Sequence, residues 1–571
     1  MTVMNRLKSF IIDQVKKDYT AYLILLIPLL FLVIFLVWPL AISIGKAFVL
    51  KGQELALENF TLANFERFFT SSMYQRSLRN SFLISFAVVF FTLLIGVPMG
   101  YFVARVEMPF KKLILALGIL PIITPAFVGA FSWVILLGRQ GILRYAINKV
   151  LGIFGLSLPP IYGLFGIIFT MSLTYLPFVF LLSYGAFRSS NPLLEESAMI
   201  MGATHSRILR TITIPLILPS LGAAAILVFI RSIGNFGIPA VLGGNQYVLP
   251  TLIHFRVHGF WDLNGASAIA IISVSIVIIA LAIQKKIVSA REYETISTAT
   301  SEYKLHKHPL IKAVAIIYCL LILLISLAPQ ITIFIMSFFE KWTGFLPVGF
   351  TLNNYKIIPQ IASKTIKNSF FLAVTASLLT ALIGTLAAYI TERRRPRGGM
   401  LIDFAIMTPF VLPGIVVSVA LLSAFSSDPI NISGTFLIII IAFIVRRTPY
   451  VFRSVVATLT QLDEALEESS TISGASWFYT FRRVTLPLIL PGIISGAILT
   501  FATLLQELST TILLYSARTV TMPVQIYNTV AEGNFGIASS LSVLLMATVF
   551  IMVYLMNIFF GESGSSSFKI G

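Results

Sequence analysis

Twelve apolar runs, most of about twenty residues or more, follow one another through this chain of 571 residues. None of the gaps between them could hold a sizeable soluble domain. A run of that length crosses the roughly 30 Å hydrocarbon core as an α-helix, which satisfies its own backbone polar groups where water is absent. The runs lie near 22–49, 80–104, 113–137, 161–187, 214–240 and 265–284, then 312–338, 368–391, 401–424, 433–459, 485–513 and 535–560. Mean hydropathy is +0.93 and charged residues make up 11%, against roughly 25% in soluble domains. The expectation is an all-α polytopic membrane protein with the lipid bilayer as a partner. The net charge of +18 is read as a topology signal rather than a nucleic-acid footprint, because Lys and Arg collect in loops left on the inner side. Cys319 is the only cysteine, so intramolecular disulfides and Cys-based metal sites are excluded and a packed thiol is expected.

The first run follows Arg6, Lys8, Lys16 and Lys17, is too long for a signal-peptide core and has no small-residue cleavage site. It reads as a retained anchor with its N-terminus inside. Twelve spans then bring both termini inside, with Arg105, Lys111 and Lys112, the stretch 285–312, Arg393 to Arg397, and loops carrying Arg207, Arg210, Arg482 and Arg483.

A second feature divides the chain in two. Glu196-Ser197-Ala198, Gly202, Ile214 and Pro215 recur as Glu468-Ser469-Ser470, Gly474, Leu486 and Pro487, each pair 272 residues apart. Asn80-Ser81-Phe82, Tyr101, Pro121 and Pro125 recur as Asn368-Ser369-Phe370, Tyr389, Pro409 and Pro413, each pair 288 apart. The change of offset assigns about 16 extra residues to the first half, in the segment 139–160. Two six-helix units of the same orientation are implied, related by a pseudo-twofold axis along the membrane normal. The boundaries are 1–288 for the first repeat with its loop at 188–213, 289–311 for a polar linker, 312–562 for the second repeat with its loop at 460–486, and 563–571 for a tail. Each repeated loop is expected to form a short amphipathic helix. Its glycine permits a turn or close backbone approach, and its proline begins the next span.

The twice-written spacing resembles the EAA-x3-G-x9-I-x-L-P loop of binding-protein-dependent ABC importer permeases, with Ser at 197, 469 and 470 where that pattern has Ala. The resemblance covers essentially the whole chain and implies the type I importer permease fold. It also implies that Glu196, Ser197, Ala198, Gly202 and Pro215, with Glu468, Ser469, Ser470, Gly474 and Pro487, couple the helices to two ATP-binding cassette subunits. An extracytoplasmic substrate-binding protein would deliver the solute. The chain has no Gly-x4-Gly-Lys-Ser/Thr phosphate loop, so Mg-ATP is expected on the partner ATPase, with no cofactor on this chain and no enzymatic role for it. The implied location is the bacterial cytoplasmic (inner) membrane.

Ionisable residues inside apolar runs are costly, from about 2.5–3.5 kcal/mol upward, and mark interiors or pathways. Arg446 and Arg447 fall near the middle of the tenth run, opposite Thr174 and Tyr175 of the first half. Arg231 lies in the fifth run and Glu507 in the eleventh, where Glu507 corresponds to Asn235. Two readings stand. Arg231 and Glu507 form a structural ion pair across the axis, or Arg231, Asn235, Arg446, Arg447 and Glu507 line a translocation path that favours anionic cargo. His254 and His258 lack a third ligand, so no metal site is expected.

With Arg446-Arg447-Thr448-Pro449-Tyr450, the fused layout resembles the ferric iron permeases and is similar to the 2-aminoethylphosphonate, sugar phosphate, thiamine and polyamine permeases. Ferric iron is the leading cargo, with a phosphonate, phosphate ester or other small anion as the alternative. An ATP-independent secondary transporter would share the layout without needing paired loops. An intramembrane enzyme finds no Ser/His/Asp set, His-Glu-x-x-His or aspartate pair.

Overall fold

The computed structural model describes residues 26–289, 308–342, 347–395 and 399–560; the expected linker and both chain ends lie outside or at the edge of these. Among the described residues nine helices are long and apolar enough to span a membrane. In the first half they are Leu26–Ala47, Ser72–Arg105, Leu164–Ser189, His205–Ile233 and Leu263–Gln284. In the second they are Pro309–Met336, Ser363–Arg394, Trp477–Leu505 and Phe535–Met556. A further helix, Phe436–Leu459, has the length of a span and carries Arg446, Arg447 and Arg453.

The third span of each half, one apolar run in the sequence, is broken in two. Lys111–Ile123 and Ala126–Leu137 meet at 98°, and Ile402–Val411 and Gly414–Phe425 at 109°. The breaks fall at Pro125 and Pro413, each the residue before the second helix. Proline lacks the amide that would continue the ladder and excludes the preceding residue from helical geometry. The 16 extra residues also have a structure, a helix Ile142–Leu151 where the second half has only a short turn region before Phe436.

Spans 2, 4 and 5 pack together as the centre of each half. Close approach depends on small residues, the usual device where lipid offers no hydrophobic driving force. A Cβ on Gly96 would lie 2.9 Å from Val179 Cγ1, and one on Gly384, its repeat partner, 3.0 Å from Val451 Cβ. The outward faces stay apolar, with Phe86, Phe90 and Leu94 on span 2 and Leu378 and Leu382 on its counterpart all exposed, as a lipid-facing surface requires.

The repeated Asn-Ser pair ties span 2 to the segment after span 5. Asn80 Nδ2 donates to the Tyr247 carbonyl (3.1 Å) and Ser81 Oγ accepts from Leu249 N (2.9 Å). Asn368 donates to the Val520 carbonyl (3.0 Å) and Ser369 accepts from Met522 N (2.7 Å).

The first span of each half crosses to the other. Leu26–Ala47 packs on Gly414–Phe425, while Pro309–Met336 packs on both arms of the first half's bent pair. Ser43 Oγ donates to Ser267 Oγ (3.0 Å), which lies 3.3 Å from Ser423 Oγ. Ser132 Oγ donates to the Pro329 carbonyl (3.0 Å), and Tyr318 OH to that of Ile95 (2.9 Å). The two halves are thus interlocked.

Candidate functional site

The repeated loops form short helices, Pro192–Ile200 and Ala465–Ile472, each followed by a glycine with positive φ: +83° at Gly202 and +86° at Gly474. A Cβ on either would meet nothing within 4 Å. The glycine therefore serves the left-handed turn, not close approach. Pro215 and Pro487 do not begin the next span, contrary to expectation. The spans start at His205 and Trp477, and a π-helical turn precedes each proline, Leu209–Thr213 and Phe481–Thr485. A wider turn absorbs the amide that proline lacks without ending the helix.

That turn has a second consequence. It aims Thr213 and Thr485 back at the loop helix, where each hydroxyl donates 3.0 Å to a glutamate, but not to the motif glutamate. The acceptors are Glu195 and Glu467, one residue earlier. Glu195 is 4% exposed and pairs at 3.0 Å with Arg105, at the end of span 2. Glu467 pairs at 3.3 Å with Arg393 and accepts from Tyr389 OH at 3.1 Å. Tyr389 in turn accepts from Trp477 Nε1 (3.0 Å), while Tyr101 OH lies 3.0 Å from His205 Nε2. Each clasp ties loop helix, end of span 2 and start of span 5 into one unit. Glu196, by contrast, is half-buried and Glu468 exposed, as are Ser197, Ser469, Gly202 and Gly474. Ser470 Oγ lies 2.9 Å from Thr480 Oγ1. Sequence reasoning passed over Glu195 and Glu467, although Arg105 and Arg393 keep the 288 offset and Thr213 and Thr485 the 272 offset.

In the middle of the second half, Arg446 and Arg447 meet Glu507. One carboxylate oxygen takes Arg446 Nη1 at 2.6 Å and Arg447 Nη2 at 2.5 Å. The other accepts from the backbone N and the hydroxyl of Thr510, both at 3.1 Å. Both guanidinium Nε atoms are buried without a hydrogen-bond partner. Glu507 does not sit within span 11, which ends at Leu505, but just past it. It does not pair with Arg231 either. Its partners come from its own half, sixty residues earlier.

Arg231 instead reaches across the interface. Its guanidinium stacks 5.3 Å from the Phe410 ring and 6.0 Å from that of Phe178, and it lies beside the Tyr450 side chain. Tyr450 OH accepts from Arg447 Nη1 at 3.3 Å. The first half repeats the geometry without charge: Asn235 Nδ2 donates to Tyr175 OH (2.7 Å) and Asn235 Oδ1 accepts from Ile238 N (2.9 Å).

Two cavities flank this region. One of about 290 Å³ is lined by Phe410, Tyr450 and Arg453 among others. One of about 130 Å³, near Phe236, is lined by Tyr247 and His254 and by Tyr527 of the other half. His254 and His258 stack at 4.5 Å on the helix Leu249–Phe260 between spans 5 and 6. Burial first, and His258 second, push the His254 imidazole down to about 4. Among the described residues no three His, Cys, Asp or Glu converge as a metal site would need.

Comparison with known proteins gives one family. Residues 96–292 and 381–561 match the family described as binding-protein-dependent transport system inner membrane component. A putative ferric transport system permease protein FbpB 1 of Haemophilus influenzae is 30% identical over 516 residues, covering 89% of this chain and 79% of that protein. The ferric transport system permease protein FbpB of Actinobacillus pleuropneumoniae is 28% identical, covering 94% and 78%. A putative 2-aminoethylphosphonate transport system permease protein PhnV of Salmonella paratyphi A is 28% identical, covering 42% of this chain and 91% of its own. Among solved structures, a bacterial ABC transporter involved in the import of alginate aligns over 48% of this chain at 21% identity with a TM-score of 0.38.

Proposed function

The chain belongs to the binding-protein-dependent transport system inner membrane components, and from that premise we propose that it is a fused importer permease for ferric iron, driven by two separate ATPase subunits. The observation that carries the cargo is coverage. The ferric relatives match along both halves, whereas the phosphonate relative matches only 42% of the chain.

The coupling reading rests on the loops. Ile200 is 88% exposed, and Ile472, its repeat partner, 86%. Met201 and Phe478 stand exposed beside them. Apolar side chains at the tips of polar loops suit the core of a protein interface. Behind them, the clasps at Glu195 and Glu467 make each loop helix move with spans 2 and 5. ATP-driven movement of the docked ATPases would tilt these helices and open the bundle alternately to either side. Mg-ATP belongs to the ATPases and the solute arrives on an extracytoplasmic binding protein. This chain would lie in the cytoplasmic membrane with both termini inside.

Reconstitution with the ATPase and binding protein tests the reading. Iron supplied on the binding protein should enter liposomes only with ATP. Charge reversal at Glu196 or Glu468, or a bulky side chain at Gly202 or Gly474, should leave ATP hydrolysis running without uptake. Iron uptake without ATP would overturn the importer reading. Unchanged uptake in all four variants would overturn the coupling assignment.

A further inference from the structure

The arginine cluster carries more positive charge than the protein around it balances. Arg231, Arg446 and Arg447 converge on Tyr450 and Glu507, and Glu507 is the one carboxylate paired with any of them among the described residues. Both oxygens of that carboxylate are already occupied, by the two arginines and by Thr510. Formally the cluster keeps two positive charges in excess. The break at Pro413 adds to them, because a Cβ on Gly414 would lie 2.8 Å from Arg446 Nη1. The N-terminal end of the twelve-residue helix Gly414–Phe425, the positive end of its dipole, is thus set beside the same guanidinium. Such charge inside a bilayer is stable only with a counter-ion or water-filled space. Arg447 is 8% exposed with its Nε unpartnered, and two residues that the arginines touch, Tyr450 and Phe410, line the 290 Å³ cavity next to the cluster.

We propose that Arg231, Arg446 and Arg447 form a binding site for an oxyanion, and that the solute crosses with it as a net-anionic complex. This rests on the ferric reading of the cargo. A bare trivalent cation would be repelled by the cluster, whereas iron enclosed by phosphate, carbonate or a polycarboxylate would be attracted. Guanidinium forks suit planar carboxylate and tetrahedral phosphate oxygens alike. Arg231 belongs to the first half and the other two to the second, so the site is complete only where the halves meet. Relative motion of the halves would then make and break it.

The test is double-label transport by the full reconstituted importer, with the binding protein loaded with radioactive iron in the presence of labelled orthophosphate or labelled citrate. The expected result is entry of one labelled anion with iron at a constant ratio, and none with an iron-free binding protein. Arg231→Gln should lower both signals together by tenfold or more, with partial recovery in Arg231→Lys. Co-purification of the ATPase with each variant checks assembly. Orthophosphate or citrate should also raise the melting temperature of the wild-type chain, and much less that of Arg231→Gln. Iron entering with neither anion, and no melting shift with either, overturns the oxyanion site and leaves the iron reading standing. A labelled anion entering without dependence on iron overturns the iron reading and supports the site.

Discussion

The two halves solve one geometric problem with opposite chemistry. Just past span 5, a side chain caps the backbone three residues on and reaches span 4. In the first half it is Asn235, holding Tyr175; in the second it is Glu507, holding Arg447. The positions are repeat partners, so the backbone arrangement does not demand charge. Charge was kept on one side only, and that side faces Arg231 across the interface. A fused chain permits such asymmetry, whereas a homodimer would have to place the same residues twice.

The comparison can be broken most directly at the glutamate. Glu507→Ala leaves two buried guanidiniums without their carboxylate and should destabilise the chain by about 3–5 kcal/mol. Asn235→Ala loses neutral hydrogen bonds, about 1 kcal/mol. Unfolding of the purified chain measures both, and equal losses would show that the halves are energetically alike. The clasps provide the next contrast. Glu195 and Arg105 have side chains 5% and 2% exposed, against 20% and 7% for Glu467 and Arg393. Glu195→Gln should therefore cost about 3 kcal/mol and Glu467→Gln about 1 kcal/mol. The reverse order would place the rigid clasp in the second half.

A smaller effect comes from building the charged version in the first half. Tyr175→Arg alone should destabilise, and adding Asn235→Glu should recover about 1–2 kcal/mol of coupling in a double-mutant cycle. No recovery would mean that the charged pair depends on surroundings that only the second half supplies. Smallest is a pH effect at His254, opposite which the second half has Tyr527 when Leu249 is matched to Met522 by their like bonds to Ser81 and Ser369. Its imidazole is held at about 4, against an ordinary 6.5. The unfolded chain therefore takes up the proton first, and stability is full above 6.5 and lost as pH falls from 6.5 toward 4, by about 1 kcal/mol at pH 6. His254→Gln should flatten that slope, and an unchanged slope would place the acid sensitivity elsewhere.

Much of this was legible in the chain. Apolar run length marked the spans, and the two offsets marked the repeat and the place of the extra residues. The prolines at 125 and 413 marked the breaks, though not their angles. The glutamates were harder. Glu195 and Glu196 are adjacent and identical in type, and only burial separates the one that holds the loop from the one that faces outward. The π turns before Pro215 and Pro487 were equally hidden, since proline usually opens a helix and here sits within one.

What the sequence determined by itself was what local and periodic signals can encode: a membrane protein, two like halves, paired loops of one family, and a few arginines too costly to be idle. Tertiary structure alone decided which glutamate those arginines meet, which half Arg231 reaches, and how the first spans interlock the halves. Those contacts join residues tens to hundreds of positions apart. In a bilayer, where apolar surface is satisfied on every side, they are chosen by close packing and by the pairing of a few polar groups. Neither leaves a pattern along the chain.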